Sequence, residues 1–323
     1  MRWFRATSRI FATRMHIGLR RVGAAALAVL ALAPVAGAAG TAPPRVEVMF
    51  DDFSYTTRSQ LAAHGWIVRT ATGWPGIEGA VWSPGNVSFV RDPGRRGNRL
   101  LRMTSTTDGT AAGTSETQVC HERKYLAGTY ATRVRFRDQP TWGPDGDTVV
   151  ETFYTISPLK APLDRDYGEL DFEYLPNGGW DTHSPTLYMT TWETASLDPW
   201  IPVNSHRTEE RSLEGWHTLV IQVSGGTVRF FVDGVFQARH AQPYYPKVPM
   251  SINYNLWFSG FGSVPSGEPR RYQEDVDWVF HQAGAVLSPN QVALKVAARR
   301  RAPSAFVDTV PPEDPPLRSP CDF

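Results

Sequence analysis

The sequence predicts an all-β chain folded as a β-sandwich, on three observations. Segments with structural character are short runs rich in Val, Ile, Thr, Tyr, Phe and Trp: 125–138, 148–157, 167–176, 186–194, 216–223, 227–232, 235–240, 249–260 and 275–281. Gly, Pro and Asn turns separate them, and only one helix is expected. Many strands at such spacing, with no internal repeat and no long linker, make one sandwich domain.

In chain order, 167–176 alternates acidic and apolar residues. Segment 216–223 places His217, Leu219, Ile221 and Val223 on one face and Trp216, Thr218, Val220 and Gln222 on the other. Ser224-Gly225-Gly226 and Asp233-Gly234 read as hairpin turns joining it to 227–232 and 235–240. In 251–258, Ile252, Tyr254, Leu256 and Phe258 form a core face opposite Ser251, Asn253, Asn255 and Trp257. The helix begins at Ser288, a good N-cap, with Pro289 in its first turn and basic residues at the end of 292–301.

The chain has 323 residues, of which 12% are aromatic and 41% hydrophobic, ample for a large core. Its formal charge of +1 hides an asymmetry: residues 1–40 hold six Arg and no acid, leaving 27 basic against 32 acidic residues, a net of −5. A mildly acidic body without a basic stripe argues against nucleic-acid binding. Arg20 and Arg21 precede an apolar, Ala-rich run over 22–35, followed by small residues at 36–40. This is the pattern of a secretory signal peptide, too short and Ala-rich for a membrane span. The expected product is a secreted protein without stable membrane insertion, with a body at 41–286 and a helix and Pro-rich tail at 287–323. Export exposes Cys120 and Cys321 to an oxidising compartment, where they are candidates for one disulfide tying the tail to the body. Two Cys exclude a disulfide scaffold or a four-ligand zinc site, and the eight His have no metal-ligand spacing. No G-x-S-x-G, H-E-x-x-H or P-loop motif occurs.

The chemistry-bearing stretch is Glu169-Leu170-Asp171-Phe172-Glu173. On a strand its three carboxylates share one face, with neighbouring Cα atoms about 6.6 Å apart, while Leu170 and Phe172 face the core. Such crowding raises the pKa of at least one acid. An ionised carboxylate beside a carboxylic acid is what glycoside hydrolysis requires. Taken alone, the row also fits the solvent face of an edge strand or a cation site. Glu151, on the preceding strand, reads as outward-facing. Asn255 offers an amide to sugar hydroxyls and Trp257 an indole for a pyranose face. Trp192, with Tyr188 and Thr190, is a candidate for the same cleft, and Trp180, after Asn177-Gly178-Gly179, for its wall.

The acidic motif resembles the E-[IL]-D-x-E signature of glycoside hydrolase family 16, the group of lichenases, laminarinases and xyloglucan transglycosylases. In the family's order, Phe50-Asp51-Asp52-Phe53-Ser54-Tyr55 resembles its opening strand, Gly128-Thr129-Tyr130-Ala131-Thr132-Arg133-Val134 its G-x-Y-x-x-R-[VM] strand, Asn255-Leu256-Trp257 a cleft strand, and Asp277-Trp278-Val279 its closing D-W-[VI]. The resemblance implies a jelly roll of two antiparallel sheets with a polysaccharide in a cleft across the concave one. It implies Glu169 as nucleophile, Glu173 as general acid/base, Asp171 as assistant between them, and Asn255 and Trp257 beside the bond to be cut. The implied function is a retaining endo-β-glycanase needing no cofactor for catalysis, by default on β-1,3- or mixed-linked glucan; the chain is expected to meet its polysaccharide as a monomer. A transglycosylase or a non-catalytic, lectin-like jelly roll are the alternatives. Family members often carry a structural Ca²⁺ through the position of Asp277. One departure stands out: Gln118 and Cys120 occupy the places of an E-x-R pair that contacts distant sugar units in lichenases, so a sugar-clamping Arg is missing.

Overall fold

A computed structural model describes residues 46–302, 304–319 and 321. The expected signal peptide, 1–40, lies outside the described residues. In chain order the elements are β1 (Val48–Asp51), α1 (Arg58–Ala62), β2 (Trp66–Val68), β3 (Val81–Trp82), β4 (Val87–Arg91), β5 (Arg99–Thr107), β6 (Ser115–His121), β7 (Gly128–Phe136), β8 (Thr148–Ile156) and β9 (Glu169–Leu175). There follow β10 (Thr186–Leu197), β11 (Trp200–Glu210), β12 (Gly215–Ser224), β13 (Thr227–Val232), β14 (Val235–Ala241), β15 (Ser251–Gly260), β16 (Arg270–Ala283), α2 (Pro289–Arg299) and β17 (Phe306–Asp308).

The strands form two antiparallel layers. The front layer runs β2-β6-β15-β8-β9-β10-β11. The back layer runs β4-β5-β16-β7-β12-β13-β14, with β1 beside the far half of β16 and β17 beside β1. Every strand expected from the sequence is present. β11 was not expected: its run of Asn, Ser, His, Arg and Glu carries no apolar alternation, because it is a largely exposed edge strand held by its long hairpin with β10. Asp233 (φ 50°) and Gly234 (φ 83°) both adopt left-handed conformations, which the two-residue turn between β13 and β14 demands.

The core lies between the layers. Leu219, Ile221 and Val223 from the back meet Leu170, Phe172, Tyr174, Ile252, Tyr254 and Leu256 from the front. The opening motif is structural: the buried Asp51 carboxylate accepts from Tyr55 Oη (2.6 Å), Trp66 Nε1 (2.8 Å) and Phe53 N (2.8 Å), pinning the chain after β1. On the outer side of the back layer, α2 is capped as its sequence predicts, with Ser288 Oγ accepting from Gln291 N and Gln291 Oε1 from Ser288 N. Its Val292 and Val296, four apart on one face, pack on Ala131, Val220, Trp278 and Phe280. No described helix is long and apolar enough to cross a membrane.

Glu151 corrects an expectation. It points inward, between the core residues Val149 and Phe153, and is fully buried with Glu274 of β16 as its acidic neighbour. Backbone N–H of Arg137 donates to both Glu151 oxygens (3.2 Å). Burial, and for Glu151 the charge of Glu274, push both carboxyls well above the carboxylate range. Because the folded pKa values exceed the unfolded ones, the stability linked to these protons is complete below pH about 4 and is lost as pH rises. Glu274→Gln removes one titrating group, so its Tm is expected to decline less than wild type between pH 6 and 9 in scanning calorimetry.

Candidate active site

β9 is bonded on both edges, to β8 and β10, so its alternation is imposed on both sides. Leu170, Phe172 and Tyr174 are buried in the core, which turns Glu169, Asp171 and Glu173 to the front face of the front layer. That face is recessed. Asp171 is only 2% exposed and Glu169 and Glu173 are half-buried, although all three leave the sheet on its outer side.

The register sets three rows across the strands. Trp192 stands beside Glu169; Thr190 and Tyr154 flank Asp171; Tyr188 and Thr152 flank Glu173. One strand further, Asn253 follows Tyr154, and Asn255 follows Thr152. Trp192 Nε1 donates to Asp171 Oδ2 (3.0 Å) and its ring meets that of Trp200 edge-on at 6.0 Å. Beyond Glu173 lies an aromatic cluster: Trp180, 41% exposed, is 5.2 Å from the Tyr188 ring and 6.2 Å from that of Trp257. Tyr188 Oη donates to the carbonyls of Gly179 and Trp180, fixing this wall. The structure thus brings Glu169, Asp171, Glu173, Trp192, Trp180, Asn255 and Trp257 to one face. Asn255 keeps a side-chain oxygen without a partner among the described residues.

The three acids are electrostatically distinct. Burial pushes Glu169 up to about 7, opposed by hydrogen bonds from Tyr167 Oη and Asp171. Burial, and then the charges of Glu169 and Glu173, raise Asp171 well above the carboxylate range, so it carries the proton it shares with Glu169. Glu173 has no hydrogen bond among the described residues, and burial followed by the Glu169 charge pushes it up to about 8. Of the two glutamates, Glu169 therefore ionises first and Glu173 holds its proton longer, while Asp171 stays protonated between them. An anion and a proton donor on one recessed face can attack an acetal carbon and protonate its leaving oxygen.

The model of the glycosyl hydrolases family 16 matches residues 79–280. The chain belongs to this family. Its fold is that of a Bacillus licheniformis beta-glucanase (TM-score 0.52, 15% identity, 73% of this chain and 97% of that one). Porphyranase B of Zobellia galactanivorans (0.53, 17%, 75% and 95%) and a family 16 endo-glucanase of Bacteroides ovatus (0.52, 12%, 71% and 98%) share it as well. No curated protein sequence matches. Family 16 membership makes the chain a glycoside hydrolase with a jelly-roll fold.

Against that family background, two features of the chain differ from expectation. Asp277, on the outer side of the back layer, does not fit a calcium ion. Its Oδ2 accepts from Arg133 Nη1 (2.9 Å) and its Oδ1 from Asn98 Nδ2 (2.8 Å) and from Arg300, which follows α2. Arg300 also reaches the Asp277 carbonyl (3.2 Å), and Arg133 lies 4.3 Å over the Trp216 ring. Two guanidinium groups already neutralise this carboxylate and would repel a cation. The second feature is Arg69, just past the three-residue β2, which no local pattern marks. It donates to Gln118 Oε1 (2.9 Å) on the front face, so an arginine does reach the place beside Gln118 and Cys120. Its other donors hold the carbonyls of Ala71, Gly73 and Trp74, and it stacks 4.1 Å over Trp82. Its guanidinium thus shapes a loop. Calcium and EDTA are expected to leave Tm unchanged, whereas Arg300→Ala strips a buried carboxylate of a partner and costs roughly 3 kcal/mol in denaturant unfolding.

Proposed function

We propose that the chain is a secreted endo-β-glycanase that cleaves with retention, by default on β-1,3- or mixed-linked glucan. The observation that carries this reading is the unequal treatment of two glutamates on one strand face: Glu169 receives hydrogen bonds from Tyr167 and Asp171, and Glu173 receives none. Glu169 is the nucleophile. It attacks the anomeric carbon while Glu173 gives its proton to the departing glycosidic oxygen. Glu173, now ionised, takes a proton from water, whose oxygen displaces Glu169 and restores the starting configuration. Asp171 positions and protonates against Glu169, limiting the charge on the row before attack. Asn255 and Trp257 bind the sugar beside the scissile bond, with Trp192 and Trp180 lining the groove further out. Solved relatives of this fold are described as acting on mixed-linked glucan, and others as a laminaritriose complex or a porphyranase, which supports the β-glycan class and leaves the linkage to experiment. Export is supported by the leader-like composition of residues 1–40.

New reducing ends on lichenan, laminarin, xyloglucan, agarose or porphyran test the reading; binding without product on all of them would replace it with the lectin-like one. Glu169→Gln is expected to lower kcat by at least about 10³-fold with an unchanged Tm. Since activity needs Glu169 ionised and Glu173 protonated, kcat/KM should rise through pH about 7 and fall through about 8, a narrow bell. Glu173→Gln should remove its alkaline limb along with most activity toward substrates with poor leaving groups.

A further inference from the structure

The C-terminal segment follows an unusual course. From α2 on the outer side of the back layer it adds β17 to the edge strand β1. It then pairs Leu317 with Arg123, just past the end of β6, and ends in a disulfide between Cys321 and Cys120, 201 positions apart. The tail thus passes from the back of the sandwich to its front.

Where Cys321 sits follows from the register. Cys120 is paired in plane on both sides, to Asn253 of β15 and Ile67 of β2, so neither flank is open. Its neighbours Val119 and His121 point inward, which turns Cys120 outward with Gln118. Gln118 donates to Tyr154 Oη (2.6 Å), and Tyr154 flanks Asp171. With Cα atoms 5.9 Å apart, Cys321 must therefore lie over β6 on the same face as the three carboxylates. Burial agrees: Cys120 and Asn253 are 0% exposed on a face where Glu169 and Glu173 remain half-open, and Cys321 and Ser319 are themselves buried. Cys120, Asn253, Tyr154 and Asp171 occupy one row across the strands, so the covered point is three interstrand spacings from Asp171, about 14 Å. On the other side of β9 the face continues across β10 and β11 past Trp192 and Trp200.

We propose that the disulfide-held tail is the end wall of the sugar groove, closing it on the β6 side within a few sugar rings of the cleavage point and leaving the β11 side open. Cys120 and Cys321 are then specificity-determining residues. The arm that would otherwise bind distant sugars of a long chain is filled by the protein's own disulfide-held segment. This rests on the glycanase reading above.

The test uses oligosaccharides of the polymer the wild type cleaves, lengthened one unit at a time from either end, with kcat/KM and product sizes as readouts. Wild type should gain with length at one end and stop gaining after a few units at the other. Cys321→Ser, and Cys321→Ser with Ser319→Glu to keep the tail from reseating, should regain length dependence at the blocked end by about tenfold for the first added unit. Iodoacetamide labelling of Cys120 reports that the tail has left, and circular dichroism that the fold persists. A wild type whose kcat/KM keeps climbing at both ends would overturn the proposal, whether or not the variants fold. So would variants with a labelled Cys120 and unchanged length dependence. Failure to cleave any polymer would instead overturn the glycanase reading itself, and the proposal with it.

Discussion

Three carboxylates share one face of β9, and the cost of holding them there organises much of this protein. Like charges at about 6.6 Å spacing on a recessed surface cannot all ionise near neutral pH. Protons must stay on the row, and the surroundings decide where. Tyr167 and Asp171 direct hydrogen bonds to Glu169; Trp192 holds Asp171; Glu173 is left to burial and to the field of its neighbour. The electrostatic difference between the two glutamates follows from these placements, since the residue types at the two ends are identical.

Keeping such a strand in place requires anchorage that charge repulsion cannot undo. The opposite face of β9 supplies it, with Leu170, Phe172 and Tyr174 buried and both edges bonded. The same logic reappears behind the sheet, where Glu151 and Glu274 are sealed in the interior and Asp277 is neutralised by Arg133 and Arg300. Arg300 belongs to the segment after the sandwich. The C-terminal stretch therefore closes the back of the molecule with α2 and its arginine, and reaches the front through Cys321. One extension serves the convex side and the groove alike.

Much of the site was legible in the sequence because strand alternation is a local rule. Glu169, Asp171 and Glu173 had to share a face once 167–176 was a strand, and Asn255 with Trp257 likewise. The capped helix at Ser288 and the Asp233-Gly234 turn depend on residues a few positions apart, so they too were readable. Glu151 was not: alternation gives two faces without saying which is inside, and a carboxylate in the core is a costly choice that only its acidic neighbour and the Arg137 amide make intelligible. β11 escaped notice because an exposed edge strand needs no apolar stripe.

By itself, then, the sequence determined the β-rich architecture, the acidic face and the aromatic and amide residues that accompany it, all consequences of periodicity and turn chemistry within a few residues. Tertiary structure decided which glutamate is stabilised as an anion, why Asp277 has no room for a cation, and where the tail ends. The last two depend on groups brought together across tens to hundreds of positions, Arg300 on Asp277 and Cys321 on Cys120. The first depends on burial of the acidic row, since Tyr167 and Asp171 lie only two positions from Glu169; burial by distant segments has no signature in local pattern.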